Sequence, residues 1–287
     1  MNKLKKHIKK EDLSKIFSLY SRQPWLLERE ENFIELLLLC ETTESKKLIL
    51  ELLSEFHFLE GKTLSNYLNH IADFIVSDSS FSEETTQIAA ITYDDEADSS
   101  QKILDYIKMP LYKQGWSNFK TVNRFGAAIK NFNDGKTQIV FVDEFVGSGS
   151  TIINRIKQLR NDIKKEFELK FCFIAGMDFG IKNIEAEGYE VYCPLRLFKG
   201  ISERFIDGEL ESKIELMNSL EEKLAEQINS FQLTRYSFGY NTAEALYSLE
   251  GSGGNTPNSV FPIFWWPRTK DGKKRNTLLT RFEKGLK

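Results

Sequence analysis

Residues Lys136–Ile156 read KTQIVFVDEFVGSGSTIINRI, and the order of residue types in this stretch decides the fold. The apolar run lacks period-two alternation, so a strand over Thr137–Glu144 is expected with both faces buried, as in a parallel sheet covered by helices. Asp143 and Glu144 close that strand, Gly147–Thr151 follow as a loop with little side-chain bulk, and an amphipathic helical pattern begins at Ser150. In open α/β sheets ligands bind beyond the carboxyl ends of the strands. Amides at a helix N-terminus lack intrahelical partners and sit at the positive end of the helix dipole, so such a loop favours an anion. Hydroxyls on Ser148, Ser150 and Thr151 add donors.

Outward from this stretch, short apolar runs alternate with helical patterns. Thr86–Tyr93, Phe119–Phe125, Lys170–Asp178 and Tyr189–Pro194 read as strands, with helices after Ser99 and Ser100, after Ser150, and around 181–188. That alternation predicts a parallel, doubly wound α/β sheet. Residues 11–80 carry apolar positions at three- and four-residue spacing, which predicts an N-terminal module of about four helices. Thr43–Lys46 offer a helix start, and Pro24, Trp25 and Gly61 punctuate the series. After Pro194 the chain reads mostly helical and charged, then as a loop over Gly251–Ser259, an aromatic stretch ending in Trp265 and Trp266, and a basic turn over Arg268–Asn276. The expected division is a helical module over 1–84, an α/β core over 85–235, and a C-terminal extension over 236–287.

Composition narrows the function class. The chain has 287 residues, 41% of them apolar and 28% charged, enough for a substantial core. A net charge of −3 gives no whole-molecule field favouring nucleic acid or an acidic membrane. The basic start, MNKLKKHIKK, is followed by no apolar segment and does not read as a signal peptide. Leu36–Cys40 is the longest apolar run, far short of the ~20 residues a bilayer requires. Cys40, Cys172 and Cys193 imply no disulfide framework, and His7, His57 and His70 have no zinc-ligand spacing. A soluble, cytoplasmic protein without membrane partners is expected.

Other phosphate motifs fail on spacing. No Lys follows Gly149, as a P-loop requires. Gly147-Ser148-Gly149 has no third glycine in dinucleotide register, and the acids precede the glycines rather than following some twenty residues later. What remains is an anion cradle behind two carboxylates, which can accept hydrogen bonds from vicinal hydroxyls. A phosphate and a diol held close together describe a ribose 5-phosphate.

At this point IVFVDEFVGSGST resembles the phosphoribosyl-pyrophosphate (PRPP) signature of type I phosphoribosyltransferases. Gly135 and Lys136 match the Gly-Lys often found before it, and the strand–helix–strand pattern that follows is also similar, over roughly Thr86 to Pro194. The resemblance implies that Asp143 and Glu144 engage the ribose hydroxyls and act in catalysis. It implies that Val146, Gly147, Ser148, Gly149, Ser150 and Thr151 hold the 5-phosphate. Mg²⁺ would arrive with PRPP, with no metal site built by the protein. Pyrophosphate would lie by Ser99 and Ser100, with Lys113, Lys120 and Arg124 as cations from the mobile loop. The chain departs from the family pattern in three places, the first being Glu144 where Asp is commoner, a longer arm that the ribose site can still accept. Gly147 stands where purine-salvage members carry an Asp, which argues against a purine acceptor. Asp94, Asp95, Glu96 and Asp98 crowd the pyrophosphate loop with negative charge, which suits pyrophosphate only when a cation bridges it.

The family also carries a variable hood that selects the acceptor, an unidentified nucleobase or nucleotide here. Asn255, Trp265 and Trp266 are the candidates for it, with core packing as the competing role for each tryptophan. The helical N-terminus and this tail together resemble divergent phosphoribosyltransferase-like proteins of bacterial conflict and phage-defence loci, some of them retron-associated. That likeness implies an effector whose N-terminal helices mediate homo-oligomer contacts or dock a defence-system partner protein. The leading expectation is Mg²⁺-dependent transfer or cleavage at C1 of a ribose 5-phosphate. The alternative is a catalytically weak nucleotide- or PRPP-binding regulatory or interaction protein on the same fold.

Overall fold

Ile139, Val140, Phe141 and Val142 are each at most 1% exposed, so both faces of this strand are covered. They lie in the middle of a six-stranded sheet in a computed structural model that describes residues 10–91, 99–123, 125–163, 165–249 and 255–286. Asp94, Asp95, Glu96 and Asp98 of the acidic loop, Arg124, most of the basic N-terminal stretch and the start of the Gly251–Ser259 loop lie outside the described residues.

The chain divides into two units, one of residues Glu60–Leu197 and one combining Met1–Leu59 with Phe198–Lys287. The first is the α/β unit. In chain order it contains α1 (Gly61–Ser77), β1 (Thr86–Ala90), α2 (Ser99–Tyr106), α3 (Lys108–Lys113), β2 (Lys120–Val122), α4 (Phe125–Asn133), β3 (Gln138–Val146), α5 (Ser150–Asp162), β4 (Glu168–Met177), α6 (Asp178–Ala186), β5 (Glu190–Tyr192) and β6 (Leu195–Leu197). The strands run parallel in the order β2-β1-β3-β4-β5, and β6 continues along β4 where β5 leaves it. Alternation along the strands sends Ile139 and Phe141 of β3 and Phe171 and Phe173 of β4 to one face. There they meet Ala128 and Phe132 of α4, Ile152, Ile156 and Leu159 of α5, and Ile181 and Ile184 of α6 in one apolar cluster. α1 and α2 also pack on the strands, and none of their residues belongs to that cluster. The expected α/β fold with a parallel, doubly wound sheet is the observed one.

The second unit corrects the expected three-part division. It gathers the helices Lys10–Arg22, Trp25–Glu28, Glu30–Leu39 and Thr43–Ser54 with the helix Asp207–Glu221 and the C-terminal segment. The helix Gly61–Ser77, expected in the N-terminal module, belongs instead with the sheet. The reason lies at residues 57–59, where His57–Leu59 form a strand paired in parallel with Tyr247–Leu249. Aromatic contacts reinforce that closure: the Trp25 ring stacks on Phe58, and Phe56 meets Phe264 edge-on. A capping box formed by Thr42 and Ser45 starts the helix Thr43–Ser54. Among the described residues no helix is long and apolar enough to cross a membrane.

Candidate functional site

β3 does not stop at its acids. Its ladder with β1 ends at the Ala90–Val142 pair, while its ladder with β4 continues to Val146 opposite Gly176. Asp143 is therefore the first residue of β3 to project past β1, at the carboxyl edge of the sheet where α/β proteins hold ligands. It is half-buried, and its Oδ1 accepts from Ser99 Oγ at 3.2 Å and from the Glu144 amide at 2.7 Å. Ser99 opens α2, so the expected pyrophosphate-side serine and the expected sugar-binding acid do come together.

Glu144 behaves differently from Asp143. Neighbouring residues on an extended strand point to opposite faces, and Glu144 is 2% exposed, so the structure does not present it to a ligand as the sequence reading expects. Val146 is also core rather than cradle, because its side chain fills the space beside Gly176, where a Cβ would stand 2.3 Å from Val146 Cγ1.

The loop itself is tightly seated. Gly149 has φ +75°, the left-handed conformation that favours glycine, and it caps α5. The helical ladder starts with the Ile153 amide donating to Gly149 O at 3.0 Å, so the Ser150 and Thr151 amides precede it. Ser148 Oγ and Ser150 Oγ lie 2.9 Å apart, and Asn183 Nδ2 of α6 donates to Ser148 O at 3.1 Å. Gly180 allows α6 to approach, since a Cβ there would lie 1.8 Å from Gly147 O. Ser150 and Thr151 are exposed at the open end of this cradle.

Two further charged residues at the same edge were missed in the sequence. Arg155 of α5 donates through Nη1 to Ile91 O, just past the end of β1. Its signal was available, because it stands four residues after Thr151 and so shares that residue's helix face. Asp178 follows β4 directly and is 8% exposed, with Lys182 Nζ at 2.7 Å and Arg196 Nη1 at 3.5 Å. An acid directly after a buried apolar run is the pattern Asp143 shows, which is the cue that would have found it.

The remaining expected residues are not gathered here. Ser100 is fully buried, and Lys113 is exposed in the last turn of α3. Asn255, Trp265 and Trp266 belong to the other unit. Both tryptophans are core, at most 2% exposed, with Nε1 donating to Val260 O at 2.8 Å and to Ala225 O at 3.0 Å. Both rings are packed into the core of that unit. Asn255 pins the tail, donating to Phe282 O at 3.1 Å and accepting the Phe282 amide at 2.8 Å.

A family model described as PRTase-CE, for phosphoribosyltransferase, matches residues 38–281. No curated protein matches the chain. Among solved structures, similarity extends to the xanthine-guanine-hypoxanthine phosphoribosyltransferase of Helicobacter pylori, at 11% identity and TM-score 0.34 over 50% of this chain and 89% of that one. Orotate phosphoribosyltransferase from Aeropyrum pernix is similar at 11% identity and TM-score 0.30, over 55% and 75% of the two chains. A hypothetical protein from Neisseria gonorrhoeae, solved with ppGpp bound, is similar at 10% identity and TM-score 0.36, over 56% and 94%.

Proposed function

The chain belongs to the PRTase-CE family, a phosphoribosyltransferase-like family, and from that premise we propose that it binds PRPP at the carboxyl edge of β3 and acts at C1 of the ribose. The observation that carries this reading is Asp143 projecting past β1, directly ahead of a glycine-lined helix N-terminus. The 5-phosphate sits on the Gly147–Thr151 loop, receiving backbone amides and the Ser150 and Thr151 hydroxyls. Asp143 accepts from the ribose hydroxyls, and Ser99 orients the carboxylate. Arg155 adds positive charge beside the departing group. As the C1–O bond to pyrophosphate breaks, positive charge grows on C1 and negative charge on the leaving oxygens, so catalysis here consists of positioning and charge stabilisation. Mg²⁺ belongs to this reading as a companion of the substrate's pyrophosphate. Among the described residues no group of three or more His, Cys, Asp or Glu is placed to hold a metal ion.

Burial of Glu144 favours a second reading, a PRPP-binding regulator without turnover. Calorimetry with PRPP and Mg²⁺ tests the binding step that both readings share. Asp143→Asn should weaken binding at least tenfold, the loss expected for a charge-assisted hydrogen bond of about 1.5–3 kcal/mol. Unchanged affinity in that variant would sink the assignment of the pocket. Pyrophosphate release in the presence of nucleobases or nucleotides then separates enzyme from regulator. The wider role we assign, as an effector in antiphage defence working with a partner protein, draws on the layout of the chain alone. Equal phage plating on cells with the intact and the Asp143→Asn protein would count against it.

A further inference from the structure

The unit formed by Met1–Leu59 and Phe198–Lys287 encloses a cavity of about 690 Å³, within the ~300–1,000 Å³ typical of small-molecule sites. Most of its wall is the segment 274–286, which has no helix or strand of its own. Side chains fix that segment instead. Arg29 donates to Leu278 O at 3.0 Å, Asn32 to Thr277 O at 2.7 Å, and Asn229 to Gly285 O at 2.6 Å. Glu35 accepts both the backbone and side-chain N–H of Asn276, at 3.1 and 2.7 Å. An irregular wall held at this many points is already ordered before a ligand arrives, which lowers the entropic cost of binding.

The lining carries five cationic side chains and one acid, Glu283, which Arg281 already engages. In a chain of net charge −3 this is a local reversal of sign. Arg275 and Arg281 use their guanidinium groups to hold carbonyls behind the wall, at Trp266, Ile263 and Thr256. Lys274 and Lys284 are exposed, and Arg268, half-buried and bridged to Lys274 through the backbone, donates through Nη1 to Gly272 O at 3.0 Å. Pro267 and Leu286 contribute apolar lining, and the Phe282 ring is 71% exposed. Several cations around one small cavity exceed what a single carboxylate needs, and an exposed aromatic ring beside them suits a planar base.

We propose that this cavity binds a nucleotide, with the base stacked on Phe282 and the phosphates met by Lys274, Lys284 and Arg268. None of these residues belongs to the phosphoribosyl site, so the chain carries a second ligand site of different composition. The test is calorimetry on the full chain near physiological salt, with ATP, GTP and inorganic triphosphate as probes. ATP or GTP should bind, and Phe282→Ala should weaken that binding about tenfold through lost stacking. The double variant Lys274→Ala/Lys284→Ala should weaken it by about as much or more. Asp143→Asn should leave it unchanged. The Phe282 ring is exposed and only its backbone bonds Asn255, so folding is retained, which an unchanged melting temperature checks. The proposal is overturned by no heat with either nucleotide, by binding lost in Asp143→Asn but kept in the cavity variants, or by triphosphate binding as tightly as ATP with Phe282→Ala silent. A single-stranded oligonucleotide that binds where neither mononucleotide does would also overturn it.

Discussion

Gly180 and Gly147 come from different helix–strand junctions, yet a Cβ on Gly180 would stand 1.8 Å from Gly147 O. The three atoms nearest that Cβ are all backbone, of Gly147 and Ser148, so no side-chain rotation relieves the clash and the Gly147–Thr151 loop itself must move. Gly180→Ala should therefore destabilise the protein by about 1–3 kcal/mol, the usual cost of overpacking, and weaken PRPP binding together with stability. Gly126 provides the control, being an exposed glycine inside α4 with open space where a Cβ would go. Gly126→Ala should be neutral or stabilising by about 0.5–1 kcal/mol, because alanine favours the helix. Urea denaturation of the two variants beside PRPP titration tests the contrast, and equal behaviour would show that the loop does not depend on Gly180. Asp143 and Glu144 give the residue-scale lesson in another form. Their chemistry is identical and their positions adjacent, but strand alternation offers one to a ligand and buries the other.

At the scale of elements, what could be read ahead was whatever carried a long apolar signature. β3, β4, α5 and α6 appear within a few residues of expectation because the two strands are buried along almost all their length and the two helices each present a regular apolar face to them. β3 exceeds its expected end at Glu144 because pairing with β4 continues to Val146, and a neighbour's length is not visible in one strand's own residues. His57–Leu59 and β6 are three-residue strands, too short for any period to register, and the first of them decides how the N-terminal helices are grouped. The cradle was legible because its residues are contiguous. Asp178, Arg155 and Ser99 join it only through folding. Lys170 shows how one such long-range contact holds elements together: it is buried in β4 and meets Asp78 just past α1 and Glu190 of β5, the latter at 2.8 Å. Lys170 and Ser80 hold the Asp78 carboxyl at about 2. Because the folded value lies below the ordinary one, this contact stabilises the fold above pH ~4 and its contribution is lost as pH falls through about 2. Asp78→Asn should remove that part of the acid transition, read by circular dichroism between pH 5 and 2. An acid profile identical to wild type would show that the contact does not contribute.

For the whole molecule, the two units should answer pH with opposite signs, because Asp78, partly exposed and paired with a cation, is held differently from the buried Glu221. Glu221, in the unit that joins the two ends of the chain, is 4% exposed and has no cation against it among the described residues. It accepts from Ser237 Oγ at 2.6 Å and from the Phe238 amide at 3.0 Å, but burial outweighs both and raises its carboxyl to about 7. A raised value means the folded unit prefers the protonated acid. The stabilisation is complete below the ordinary pH ~4.5 and is lost as pH rises through about 7, amounting to roughly 3 kcal/mol at most. Glutamine preserves the shape, still accepts the Phe238 amide and cannot ionise. Glu221→Gln should therefore match wild type at pH 5 and exceed its stability at pH 8. Tryptophan fluorescence is the suitable probe, since Trp25, Trp265 and Trp266 all lie in this unit and Trp116 alone lies in the other. Urea titrations at pH 5 and 8 decide the matter: a wild-type midpoint that falls between them, with a flat one in Glu221→Gln, assigns the loss to this carboxyl. A decline of equal size in both proteins would place the titrating group elsewhere. The functional consequence follows from the arithmetic of marginal stability, in which a loss of ~3 kcal/mol is a sizeable part of a domain's ~5–15 kcal/mol. The unit that holds the cavity lined by residues 274–286 should then be firmest in mildly acidic solution, while the sheet that holds the proposed phosphoribosyl site keeps its Asp78–Lys170 contact throughout the same range.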